Sequence, residues 1–187
     1  MVQGTYTLES AWKGCKQVIL PTAYCPPKSY FDALMTEAAT IEVMESFEKQ
    51  TFRNRCLICD PKGEIIRLTV PVGKVEHKQL TRDIEISYQS KWQHQHWIAI
   101  ESAYRHKPYF IYFADYLRPF YEKQYKWLVD LNAELTETIV SLLQKERPDT
   151  LKIRLRYATN EWSGLTWTDK HPWQTEISIL DTLFDEY

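Results

Sequence analysis

An α+β fold is what the sequence predicts, and three observations carry it. Strand-like runs dominate the first half, two helical stretches follow one another in the second, and a further strand-like run comes after them. That order fits helices packed on a mixed, largely antiparallel sheet with a central β-hairpin better than a regular βαβ series. The 187 residues are expected to form one domain, residues 1–187, because a chain of ~150 residues already buries about two-thirds of its unfolded surface in a single core. A 44% hydrophobic and 14% aromatic content supplies the apolar area for that core.

Val18-Ile19-Leu20-Pro21 has the pattern of a short buried strand. Thr22-Ala23-Tyr24-Cys25-Pro26-Pro27 follows as a stiff extended loop, since two prolines forbid further helix or ladder. Ser29 is placed to cap a helix running to about Ala39, with Tyr30, Phe31, Leu34 and Met35 at helical spacing. Asn54 to Cys59 and Glu64 to Val70 are strand-like runs joined by Asp60-Pro61-Lys62-Gly63, with proline where a tight turn accepts it and glycine at the exit. Asp83 to Tyr88 alternates Ile84 and Ile86 with polar residues, the pattern of a strand with one buried face.

Ser90 is expected to cap a helix from Lys91 to about His106, ended before Pro108. A second helix is expected from near Pro119 to Lys145, with Leu128, Leu131, Leu135, Ile139 and Leu142 as its apolar stripe. Lys152 to Tyr157 alternates charge and apolarity like a half-solvated strand, and a short apolar run lies between Ile177 and Phe184.

A net charge of −2 provides no global basic field to hold a phosphate backbone, so no nucleic-acid partner is expected. No basic segment with an apolar run follows the first methionine, and no apolar stretch approaches the ~20 residues that span a bilayer. The expectation is a cytoplasmic protein with no membrane insertion. Cys15, Cys25, Cys56 and Cys59, in a chain without a secretion signal, are expected to be reduced thiols.

The five glycines do not cluster, so neither a Walker loop nor a dinucleotide fingerprint can be built, and no motif requires a metal or organic cofactor. Cys56-Leu57-Ile58-Cys59 matches C-x-x-C, but on a strand residues three apart point to opposite faces. Cys56 alone is either a nucleophile paired with His96 or a small buried thiol. His94 and His96 diverge on a helix and cannot easily share an ion. His96 joins Trp92, Ala99, Ile100 and Ala103 on one apolar face, with Trp97 and Tyr104 at its margin. It is either a hydrogen-bonded core histidine or a general base in a low-dielectric cleft.

Lys49 to Arg55 packs three cations around one aromatic residue, Phe52, a composition suited either to an anionic ligand or to a solvated loop. Lys152, Arg154 and Arg156 carry the same ambiguity, with a solvated face favoured.

The chain resembles the WbqC-like family over about residues 18 to 184. The resemblance rests on Leu20 to Tyr24 with Pro26-Pro27 and Tyr30-Phe31, on Glu45, Phe47, Lys49-Gln50 and Asn54-Arg55-Cys56, and on Val70-Pro71-Val72. It continues through Trp92, His96-Trp97, Ser102 to Arg105, Pro108-Tyr109-Phe110 and Ser178 to Asp181. Many relatives carry an acidic pair where this chain has Val43-Met44. The resemblance implies a context of surface-polysaccharide and amino-sugar biosynthesis without a settled reaction.

Two expectations follow. The first is a transferase step, with acyl or aminoacyl transfer to a sugar-nucleotide amine. Lys49 and Arg55 would hold phosphate or carboxylate, Tyr24 and Trp97 would stack on sugar or base, and His96 would act as base, with Cys56 as a second catalytic candidate. Asn54 and Tyr104 complete the set of substrate-binding candidates. The second is a non-catalytic module or scaffold that recognises a small anionic ligand, a nucleotide sugar among the candidates, through the same residues.

Overall fold

In a computed structural model, residues 18–34, 39–146, 157–158 and 176–185 are described. The expected run from Lys152 to Arg156 lies outside them. Strand β1 (Val18–Pro21) pairs in parallel with β2 (Ala39–Glu42), which pairs in parallel with β5 (Tyr157–Ala158), giving a three-stranded sheet in the order β1-β2-β5. Helix α1 (Lys28–Leu34) lies on the connection between the first two. It begins one residue before Ser29, so the Ser29 hydroxyl is free to bond elsewhere.

Strands β3 (Arg55–Cys59) and β4 (Ile65–Thr69) form the expected antiparallel hairpin, Arg55 opposite Thr69 and Cys59 opposite Ile65. Its turn is built from the residues that foretold it. Asp60 Oδ1 accepts the Lys62 and Glu64 amides at 2.8 and 2.7 Å, and Gly63 takes φ +83°, which a side chain would resist. The sheets therefore correct the expectation in part. The hairpin is antiparallel, but the larger sheet is parallel and separate from it.

Ile84 and Ile86 are buried, yet Asp83 to Tyr88 is not a strand. A 3₁₀ turn (Thr81–Asp83) leads into isolated bridges, Val72 with Ile86 and Glu85 with Trp127. Three helices follow rather than two: α2 (Trp92–Tyr104), α3 (Phe110–Leu117) and α4 (Leu128–Glu146). Pro119 begins only a 3₁₀ turn (Arg118–Tyr121), and the long helix starts at Leu128, where the expected leucine stripe begins. The N-cap of α2 is Lys91 rather than the expected Ser90, and it makes no side-chain capping bond. The last described element is α5 (Ile179–Asp185).

Leu20, Tyr30, Phe31, Ile58, Ile84, Ile100, Leu128 and Phe184 belong to one apolar cluster joining the sheet, the hairpin and the helices. A buried ion pair anchors the entry to the hairpin: Arg53 is 2% exposed and donates to Glu45 through Nε (2.7 Å) and Nη2 (2.6 Å). Asn132 on α4 donates to the Arg53 carbonyl (2.8 Å) and to Thr22 Oγ1 (3.2 Å), tying helix, hairpin and β1 together. Among the described residues no helix is long and apolar enough to cross a membrane.

Candidate functional site

The two prolines after Tyr24 keep the loop extended, and neighbouring backbone holds it in place. The Tyr24 amide donates to Phe52 O (2.9 Å), and the Ile179 amide to Pro26 O (2.9 Å). Cys25 between them has φ +42°, a left-handed conformation unusual for a side chain and tolerated because both flanks are fixed.

This loop aims the Tyr24 hydroxyl into the core, 2.9 Å from His96 Nδ1 and 3.1 Å from the Tyr121 hydroxyl. Burial lowers the His96 pKa to about 4, opposed by a hydrogen bond to the Thr69 backbone. A bond that favours the charged ring must run from a ring N–H to the carbonyl. The neutral ring carries one N–H, and its tautomer sets which partner donates across the Nδ1–Tyr24 contact. The Tyr24 hydroxyl donates to the Tyr121 hydroxyl at 3.1 Å.

Beyond Tyr121 the chain of polar groups continues. Cys25 Sγ is 4.0 Å from the Tyr121 hydroxyl, and Cys56 is hydrogen-bonded to Cys25. Burial, then its contacts with Cys25, push the Cys56 thiol up; burial foremost also raises Tyr24 and Tyr121. At neutral pH Cys56, Tyr121, Tyr24 and His96 are therefore uncharged members of one linked series.

The outer end of that series opens on a cavity of about 210 Å³. Its walls include Cys25, Cys56, Phe52, Arg55, Arg67 and Glu176. Arg55 and Arg67 share a hairpin face, because the register sets Arg55 opposite Thr69 and Leu57 opposite Arg67. Arg55 Nε donates to Thr69 Oγ1 (3.1 Å). Burial, and then the neighbouring Arg67 charge, lower its pKa. No carboxylate among the described residues lies within ion-pair distance of either guanidinium. Glu176 accepts the Ser29 hydroxyl. The Ser178 amide donates to Leu57 O (2.7 Å), and this places the segment carrying Glu176 against β3.

The expected residues divide into groups. Tyr24 and His96 meet directly, and Arg55 and Cys56 line the cavity. The hydrogen-bond partner of Cys56 is Cys25, and His96 meets Tyr24 through Nδ1. Asn54 is buried and donates to Val70 O (2.9 Å), closing the mouth of the hairpin. Lys49 is exposed and outside the cavity wall. Trp97 is half-buried, its ring stacked on Phe110 at 6.3 Å and 5.7 Å from Tyr121. Tyr104 is fully buried against Phe184, with rings 4.9 Å apart. Cys56 and Cys59 face opposite sides of β3, as expected, and among the described residues no group of three or more His, Cys, Asp and Glu could hold a metal ion.

Four residues that the sequence did not single out complete the arrangement: Cys25, Arg67, Tyr121 and Glu176. A signal existed for Arg67, since the turn fixes the register that places it diagonally from Arg55. Tyr121 follows α3, which the sequence did not reveal, and Glu176 arrives from a segment remote in sequence.

No curated protein and no solved structure matches the chain. The WbqC-like protein family matches residues 22–168. That span covers well over half of the chain and includes the Tyr24 loop, the arginine-bearing hairpin, His96 and Tyr121; the chain belongs to the WbqC-like family.

Proposed function

We propose that the cavity between the hairpin and the Tyr24 loop binds a phosphate- or carboxylate-bearing intermediate of surface-glycan precursor biosynthesis and that the chain serves a transfer step on it. Acyl or aminoacyl transfer to a sugar-nucleotide amine is the most concrete version. One observation carries the reading: Arg55 and Arg67 stand together on a cavity wall with no acidic partner among the described residues, which is the arrangement an anion relieves. Phe52 offers an apolar surface beside them. The glycan context comes from the family alone.

His96 takes part through Tyr24 rather than by touching the ligand. Its Nδ1 is hydrogen-bonded to the Tyr24 hydroxyl, and that bond orders the hydroxyl series ending at Cys25 and Cys56. A thiolate on Cys56 activated directly by His96 finds no support in this geometry, because His96 Nδ1 is bonded to Tyr24, Cys56 is bonded to Cys25 and burial favours the protonated thiol. The same observation favours a second reading, in which the chain binds the anionic intermediate, or presents it to a partner enzyme, without transforming it.

A thermal-shift screen of the wild type against nucleotide amino sugars, coenzyme A thioesters and free amino acids tests the proposal, with Arg55→Ala and His96→Ala alongside. Stabilisation that is present in the wild type and lost in Arg55→Ala supports the site, since ligand binding to the folded state raises its stability by mass action. Turnover with the stabilising pair then separates transfer from binding. Equal shifts in wild type and Arg55→Ala would remove the cavity from consideration.

A further inference from the structure

We infer that this cavity selects a zwitterionic head group, an anion and an ammonium carried by one small ligand, with Arg55 and Arg67 receiving the anion and Glu176 the ammonium. The inference rests on the anion-binding reading above and adds the second charge to it.

Three observations carry it. The cavity wall bears charges of both signs that do not neutralise each other. Arg55 and Arg67 have no carboxylate within 4 Å among the described residues, and Glu176 has no cation within that distance among them. Opposite charges sharing a small cavity normally close on each other unless the scaffold holds them apart. Here the scaffold does so. The Ser29 hydroxyl holds one oxygen of Glu176, the Ser178 amide fixes the segment to β3, and Arg55 is turned toward Thr69. The second oxygen of Glu176 has no hydrogen-bond partner among the described residues and remains available to an incoming N–H.

Size narrows the class further. A volume of about 210 Å³ falls below the ~300–1,000 Å³ of pockets that enclose a drug-sized ligand. It takes one small body that carries both an amine and a phosphate or carboxylate, a phosphorylated amino sugar being of that size, with any larger part of the ligand left outside. With two cations facing one anion, the preferred ligand carries more negative than positive charge, which places an aminated phosphate ahead of a neutral zwitterion. Glu176 lies beyond residues 22–168, the span matched to the family.

Three probes of one phosphate chemistry test this: glucosamine 6-phosphate, N-acetylglucosamine 6-phosphate and glucose 6-phosphate, titrated calorimetrically into wild type, Glu176→Gln and Arg55→Ala. The carboxamide oxygen introduced by Glu176→Gln can still accept the Ser29 hydroxyl, so the fold is kept, and the wild-type comparison needs no variant. The free amine is expected to bind about tenfold more tightly than the acetylated or hydroxyl probe, the scale of one charge-assisted hydrogen bond. That advantage should vanish in Glu176→Gln while the two other probes bind as before. Equal binding of all three probes in wild type, lost together in Arg55→Ala, would overturn the zwitterion inference and leave the anion site standing. An amine preference that survives in Glu176→Gln would overturn the role of Glu176. Failure of every probe to bind would remove the anion site and this inference with it.

Discussion

The Tyr24 hydroxyl lies 2.9 Å from Nδ1 of His96 and joins the loop after β1 to the inward face of α2. Both residues are buried, so the contact has no water to replace it. Tyr24→Phe strands His96 Nδ1 and the Tyr121 hydroxyl oxygen in the core. Urea denaturation should show a loss of about 1–3 kcal/mol with an unchanged slope. A loss below a few tenths would mean that the hydroxyl series contributes nothing to stability.

The depressed pKa of His96 makes the fold sensitive to acid. The folded value of about 4 lies below the ~6.5 of a free imidazole, so between these values the unfolded chain binds a proton that the folded chain does not. Stability is complete above ~6.5 and falls as pH drops toward 4, by ~3 kcal/mol in all. Asp181, whose carboxyl is raised chiefly by burial, acts in the opposite direction, while Glu134, lowered chiefly by its bond from Tyr125, adds to the acid loss. His96→Gln cannot titrate there, and its unfolding free energy should lose most of the slope between pH 6.5 and 4.5. An identical slope in both proteins would assign the acid sensitivity elsewhere.

Arg53 and Arg55 are two positions apart, and the stability that rests on each should differ severalfold. Glu45→Ala leaves the Arg53 guanidinium buried without its carboxylate, a change that costs about 3 kcal/mol in comparable buried pairs. Arg55→Ala removes a half-buried side chain whose described partner is one threonine hydroxyl, and the expected change is under ~1 kcal/mol. Calorimetric melting of the two variants checks the contrast. A large loss in Arg55→Ala would make this arginine structural and weaken its claim as a ligand residue.

Cys56 should be a slow thiol despite its place on the cavity wall, because burial and its contacts with Cys25 hold it in the protonated form. In a timed reaction with iodoacetamide at pH 7.5, peptide mapping should find the half-buried Cys59 modified before Cys56. Rapid modification of Cys56 would restore it as a nucleophile.

The hairpin was legible because its turn chemistry is local: Asp60, Pro61 and Gly63 specify a reversal whatever surrounds them. The inward position of His96 was legible as well, since the spacing of Trp92, Ile100 and Ala103 defines a helix face. Helix α3 was hidden because Ile111, Tyr112 and Tyr116 are exposed, and the contrast between two faces that reveals a helix is lost. Ile84 and Ile86 alternate in burial without a strand, since isolated bridges to Val72 and Trp127 impose the same periodicity through Ile86 and Glu85. The parallel sheet carried no local signal, as its strands meet partners far along the chain. For the candidate site, the Tyr24, Arg55 and His96 positions could be named, but Tyr121 and Glu176 reach it through tertiary contacts that no short pattern encodes.

The docking of Ser178 against Leu57 has a consequence for synthesis. A ribosome delivers the hairpin with its paired guanidiniums well before the segment that brings Glu176. During translation the nascent chain therefore presents two guanidiniums before the carboxylate proposed to balance them, and the proposed discrimination arrives only when α5 seats.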